Sequence, residues 1–257
     1  MINQSTIETL KAMRLGAMAA TFEEQLKDKD KYRDFSFEER LGLIVDAEWN
    51  KRQGSKLTRH IRNAHFAEPH ASIEGIEYYA DRKLDKAEML RLSTCQYIDQ
   101  HHHIILESAS GNGKTYVACA LGNAACRKLK TVRYMRMPEL LDELSVAKGC
   151  GTFKKVIKDF KKVDLLILDE WLLRCVTPKE LYDLLEVIES RCSHSTVFCS
   201  QYNSKGWYER LGTDDESPVI EAILDRIIHN SYEIVIEGDL SMRERHGLKA
   251  RESGRSR

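Results

Sequence analysis

The eight residues Ser108-Ala109-Ser110-Gly111-Asn112-Gly113-Lys114-Thr115 constrain this 257-residue chain more than any other feature. They follow the apolar run Ile104-Ile105-Leu106 and open a segment whose apolar residues recur at helical spacing. A strand that ends in such a turn, with a helix starting at its lysine, is the setting in which backbone N–H groups wrap a phosphate. Gly111 and Gly113 let the chain curl with those groups pointing inward, and the helix start adds its positive dipole end. Lys114 is placed to reach β- and γ-phosphates, and Thr115 offers a hydroxyl to Mg²⁺. The strict pattern has Gly where this chain has Ser108, but the phosphate-wrapping S-G-N-G-K-T is intact.

A second motif agrees with the first. Val163-Asp164-Leu165-Leu166-Ile167-Leu168-Asp169-Glu170 is an apolar strand that delivers two carboxylates at its carboxyl end, where ligands bind in open α/β sheets. Asp169 is suited to hold Mg²⁺, and Glu170 to orient an attacking water. Together the two motifs imply an Mg²⁺-dependent NTPase.

The rest of the pattern supplies a fold for them. Strands are expected at residues 102–107, 131–135, 163–168, 195–199 and 234–236. Helices are expected at 114–129, 138–147, 152–160 and from Ser217 to about Asn230, and another opens at Thr177-Pro178-x-Glu180 with an N-cap, a Pro at N1 and a Glu at N3. Strands alternating with helices argue a doubly wound parallel sheet. Before residue 75 the pattern is all-helical. Ile7, Leu10, Met13, Ala17, Met18, Phe22 and Leu26 read as one amphipathic helix. Ser36-Phe37-Glu38-Glu39 reads as a capping box. Phe37, Leu41, Ile44, Val45 and Trp49 form the apolar stripe of the helix it opens. A short helix capped by Asp85 runs to about Tyr97. The expected division is a helical N-terminal domain at 1–75, a nucleotide domain at 76–240 and a basic tail at 241–257, more disordered than functional.

Composition excludes little. Forty basic and forty acidic residues cancel, which rules out a uniformly basic or acidic chain. No apolar run approaches the roughly 20 residues of a membrane span. Seven cysteines with no C-x-x-C pair read as reduced thiols of a cytoplasmic protein. Three consecutive histidines, 101–103, cannot converge on one ion if extended, because neighbouring side chains point to opposite faces.

Residues 110–127 resemble the nucleotide-binding segment of IstB-like helper ATPases, the AAA+ partners of insertion-sequence transposases, which are similar to DnaC helicase loaders. The likeness continues through Val132-Arg133-Tyr134, residues 138–141 and 162–171, Ser200-Gln201, residues 221–226 and Ser241-Met242-Arg243. Residues 35–43 and Glu48-Trp49 fit the family's N-terminal region. The resemblance implies an AAA+ fold with a five-stranded parallel sheet, ATP at the interfaces of a homo-oligomer, double-stranded DNA as a sequence-tolerant partner, and the element's own transposase as another. It implies that Ser108, Ala109, Ser110, Gly111, Asn112, Gly113, Lys114, Thr115 and Tyr116 bind the nucleotide. Arg226 matches the arginine-finger position, Ser200 the first sensor (with Gln201 the alternative) and Arg243 the second. Besides Ser108, the chain departs from the family at Leu172-Leu173, where relatives commonly carry a Gly; these departures fit slow hydrolysis, which assembly driven by binding alone tolerates.

The charge map gives DNA contact some physical support. From residue 51 to 65 there is no acid, yet Lys51, Arg52, Lys56, Arg59 and Arg62 fall there. Lys154, Lys155, Lys158, Lys161 and Lys162 form a second basic run, which a merely soluble helix face would also show. Such clusters can follow a phosphate backbone without reading bases. Two rival readings are a DnaC-like helicase loader and a small-molecule kinase; the latter needs an Arg-rich lid and an acceptor pocket that the sequence does not display.

Overall fold

Runs of apolar residues too continuous to leave a polar face become the strands of a buried parallel sheet. The computed structural model describes residues 2–212 and 217–247. It divides into two units, residues 1–59 and 60–257. Residues 60–75 therefore pack with the second unit, whereas the sequence pattern placed them with the helices before them.

In the first unit, α1 (Ile2–Ala12) and α2 (Gly16–Lys27) replace the single helix expected from the apolar period. Leu15 N–H returns to Leu10 C=O (2.9 Å) and Arg14 N–H to Lys11 C=O (3.0 Å), with Arg14 at φ +61°. This helix ending places one residue in the left-handed region, and the apolar spacing runs through it undisturbed. The predicted capping box opens α3 (Phe37–Ala64): Glu39 N–H donates to Ser36 Oγ (3.2 Å) and Ser36 N–H to Glu39 Oε2 (2.7 Å). The stripe of α3 is not a core face. Ile44 is buried, but Phe37 is 73% exposed and Trp49 61%, and Leu41 and Val45 are also exposed.

In the second unit Asp85 caps α4 (Lys86–Ser93), accepting from Ala87 N–H at 2.8 Å. The helix stops short of Tyr97 because Cys95 turns at φ +65° into α5 (Gln96–Asp99). The order then alternates: β1 (His103–Glu107), α6 (Lys114–Arg127), β2 (Val132–Arg136), α7 (Met137–Gly149), α8 (Phe153–Lys161), β3 (Leu165–Trp171), α9 (Pro178–Ser190) and β4 (Ser195–Ser200). It ends with α10 (Trp207–Leu211), α11 (Ser217–Ile228), β5 (Ser231–Val235) and α12 (Met242–His246). The strands form one five-stranded sheet, β2-β3-β4-β1-β5, and every pairing is parallel. β5 starts three residues earlier than expected. It is an edge strand, and backbone pairing of Ser231 with His103 carries polar residues that no apolar pattern marks.

Trp171, Phe198 and Trp207 are fully buried, with ring centroids 4.8 Å (Trp171–Phe198) and 5.8 Å (Trp171–Trp207) apart. This cluster anchors the ends of β3 and β4, from which Asp169 and Gln201 project. The predicted N-cap of α9 holds as well, with Thr177 and Glu180 satisfying each other's backbone N–H groups. The C-terminal segment carries a short helix: Ser241 caps α12, donating its N–H to Glu244 Oε2 at 2.8 Å. The rest of the tail, residues 248–257, lies outside the described residues.

Candidate functional site

At the carboxyl end of the sheet, β1 runs into a loop that curls over a cavity of about 640 Å³. Gly111 (φ +88°) and Gly113 (φ +86°) hold the left-handed conformations the curl needs. Ser108 does not lie in that region, so its side chain costs the loop no backbone strain. It is buried, its N–H donates to Ser200 C=O (3.1 Å), and its hydroxyl to Ala109 C=O (3.1 Å). Lys114, the first residue of α6, folds its ammonium back onto the carbonyls of Ser108 (2.5 Å) and Ala109 (2.9 Å). Burial pulls that ammonium below its ordinary pKa, with Cys199 and Asp169 opposing. It is a desolvated cation with few competing partners, suited to an anion in the cradle.

The carboxylate expected at the end of β3 arrives beside the loop. Asp169 Oδ2 accepts from Thr115 Oγ1 (2.6 Å) and from Tyr134 Oη (2.8 Å), while Oδ1 accepts from Glu170 N–H (2.8 Å). Thr115 from α6 and Asp169 from β3 meet at the cavity wall. Both are hard oxygen donors of the kind Mg²⁺ selects, so the residues present fit that ion. Glu170 lines the same cavity and sits at φ +55° beside a shift in the β3–β4 register. Such strain in a non-glycine residue costs about 1–3 kcal/mol and persists only where the surroundings impose it. Leu172, one of the two residues at which the chain departs from the resemblance, is likewise left-handed (φ +54°) and fully buried.

The cavity also gathers Ser110, Tyr116, Gln201 and Arg243. Arg243 reaches it because Met242 N–H donates to Gly111 C=O (2.9 Å), docking α12 on the loop. The structure does not bring Ser200 in. Its side chain is fully buried; Oγ donates to Trp171 C=O (3.1 Å) and accepts from Trp207 Nε1 (3.2 Å) and Tyr202 N–H (3.1 Å). Those bonds tie β4 to β3, and the residue facing the cavity is its neighbour Gln201. Arg226 is absent from the lining. Its guanidinium donates to Ala222 C=O (2.7 Å) and pairs with Glu189 (3.0 Å).

Two lining or bracing residues were not among the expected site residues. Arg82 is buried and donates to Asn112 C=O (2.8 Å) and to Glu77 C=O. Tyr134 lies on β2 opposite Ile167, two residues before the Arg136–Asp169 pair, and so shares the face of Asp169. Burial, then the Asp169 carboxylate, pushes its phenol far above the ordinary range. Strand register would have found Tyr134; nothing local marks Arg82.

The five cations chosen for DNA contact are all exposed on α3. In the first unit Lys51, Arg52, Lys56 and Arg59 border a depression of about 260 Å³. Arg52 is the least available, since Glu48 holds it at 2.9 Å. Arg62 is exposed in the second unit.

Residues 8–250 match the family described as IstB-like ATP binding protein. The chain is 35% identical to an insertion sequence ATP-binding protein of Sinorhizobium fredii, over 93% of this chain and 96% of that one. It is 38% identical to the ATP-binding protein of an insertion sequence of Pseudomonas fluorescens, over 79% and 88% of the two chains. Among solved structures it resembles DnaI, with a TM-score of 0.57 at 20% identity, covering 65% of this chain and 91% of that one. That likeness speaks for an AAA+ P-loop fold and nothing finer.

Proposed function

The chain belongs to the IstB-like ATP-binding proteins of insertion sequences, and from that premise we propose that it is an Mg²⁺-dependent AAA+ ATPase that assembles on duplex DNA and recruits its element's transposase. What carries the reading is the convergence of Lys114, Thr115, Asp169, Glu170 and Arg243 on one cavity.

In this reading the N–H groups of residues 109–116 and the start of α6 hold the phosphates of ATP. Lys114 exchanges its two carbonyl partners for β- and γ-phosphate oxygens. Thr115 and Asp169 would hold Mg²⁺, which would supply charge neutralisation on those oxygens. Glu170 orients the attacking water and accepts its proton. Gln201 faces the γ-phosphate end where Ser200 had been expected. Arg243 reports the nucleotide to α12. Arg226 of one subunit serves the site of the next, a contribution worth about 10³–10⁵ in rate where such fingers operate.

The exposed cations of α3 make non-specific backbone contacts. A chain with no net charge binds DNA weakly alone, so appreciable affinity comes from many subunits joined through ATP. Seven free cysteines accord with work in the cytoplasm. Lys114→Ala tests the whole reading. ATP-dependent assembly on duplex DNA, followed by sizing and electron microscopy with a non-hydrolysable analogue, should disappear. Assembly that survives the substitution rejects the proposal. Capture of a replicative helicase and no transposase would turn the reading towards a loader.

A further inference from the structure

Asp169 is buried, and both its oxygens are engaged. Oδ1 takes the N–H of the next residue, a bond fixed by the backbone of β3. Oδ2 takes two hydroxyls, from Thr115 and Tyr134. In the site described above Thr115 gives its hydroxyl oxygen to the metal, so its bond to Asp169 is the one that metal binding alters. The bond from Tyr134 is independent of that exchange. Its ring is buried on the neighbouring strand, and the strand pairing places residues 134, 136, 167 and 169 on one face.

We propose that Tyr134 is the positioning residue of the metal site: resting on the Mg²⁺-nucleotide reading, it holds the Asp169 carboxylate in the rotamer that receives Mg²⁺. Tyr134 touches neither nucleotide nor metal. It removes the rotational freedom that a solitary aspartate would lose on binding the ion, and it holds the same oxygen, Oδ2, that Thr115 reaches. Phe at this position keeps the ring and removes only that donor. Losing a hydrogen bond to a charged group then appears as weaker metal binding, by about tenfold.

The test uses the full chain and a fluorescent ATP analogue, titrated in EDTA and then with increasing Mg²⁺. Tyr134→Phe should bind the analogue in EDTA within about twofold of the unsubstituted protein, and need about tenfold more Mg²⁺ to reach half of the metal-dependent gain. The same substitution made in Asp169→Ala should move that Mg²⁺ midpoint little, because the acceptor it acts through is gone. An unshifted midpoint overturns the inference. So does a shift of equal size in the Asp169→Ala background, or an equal loss in EDTA, either of which marks a packing effect. If the unsubstituted protein binds the analogue with no response to Mg²⁺, the metal reading fails and the inference with it. An Mg²⁺-responsive protein with an indifferent Tyr134→Phe variant sinks the inference alone.

Discussion

Arg82 Nη2 donates to the carbonyl of Asn112 at 2.8 Å, so a buried cation from outside the phosphate loop braces its turn. The same guanidinium reaches Glu77 C=O, and Arg82's own carbonyl accepts from Glu237 N–H at 3.0 Å. Three separate stretches, residues 77–82, the loop, and the segment leading to α12, meet at this residue. Burial pulls its pKa down, while Glu77 and Asp81 pull it back up.

Arg82→Met keeps most of the volume and removes every donor. Hydrogen bonds from a charged group contribute about 1.5–3 kcal/mol each, so nucleotide affinity should fall at least about tenfold. Arg82→Lys should recover only part, because one ammonium cannot span both carbonyls as the planar fork does. Binding of a fluorescent ATP analogue measures both, and affinity unchanged in Arg82→Met would show the brace to be idle.

Gly122 sits inside α6, where Ala is ordinarily worth up to about 1 kcal/mol more than Gly. Here an added Cβ would stand 2.5 Å from Phe66 Cε1 and 2.9 Å from Ile167 Cδ1. Overpacking a tight core costs about 1–3 kcal/mol. Gly122→Ala should therefore lower stability by about 1–2 kcal/mol net, seen as a melting temperature reduced by a few degrees. A rise would mean that Phe66 moves aside at no cost.

His103 predicts an acid limit. Its side chain is buried, Nδ1 accepts from Thr196 N–H (3.1 Å), and burial, helped by nearby Arg191 and His102, pushes its pKa down to about 4. The folded value lies below the unfolded value of about 6.5, so the folded protein takes up the proton later than the unfolded chain. The contribution is complete above pH ~6.5 and is lost as pH falls towards 4. His103→Asn can keep the accepting oxygen but not the titration. In urea unfolding at pH 7.5 and 4.5, the native protein should lose about 2–3 kcal/mol more than the variant. Parallel losses would assign the acid sensitivity elsewhere.

Lys56 and Arg59 are exposed, and neither makes an ion pair among the described residues. If both neutralise phosphates, replacing both with Ala should lower the slope of log affinity against log salt by about 2. The loss should be similar across unrelated DNA sequences, since phosphate contacts carry no base information. Fluorescence anisotropy at several salt concentrations gives the slope, and an unchanged slope removes these two from the interface.

Much of the nucleotide site was legible because its signals are local. A left-handed turn needs Gly111 and Gly113, a carboxylate at a strand end needs an apolar run before it, and caps such as Ser36, Asp85 and Thr177 satisfy backbone groups only two or three residues away. The errors have a common origin. The ending of α1 at Arg14 leaves the apolar period unbroken, and the stripe of α3 obeys helical spacing without being buried. Periodicity states which residues share a face; it does not state what that face meets.

The sequence by itself determined the parallel α/β architecture, the phosphate loop and Asp169, because each follows from steric and hydrogen-bonding demands within a short stretch of chain. Only the tertiary structure decided that Ser200 is spent on Trp171 while Gln201 faces the cavity, that Arg82 and Tyr134 brace the site, and that α12 docks on Gly111. Those outcomes depend on which strands are neighbours, in which register, and on which carbonyls are left unpaired when the sheet closes. Those are long-range consequences of packing, carried by no single segment.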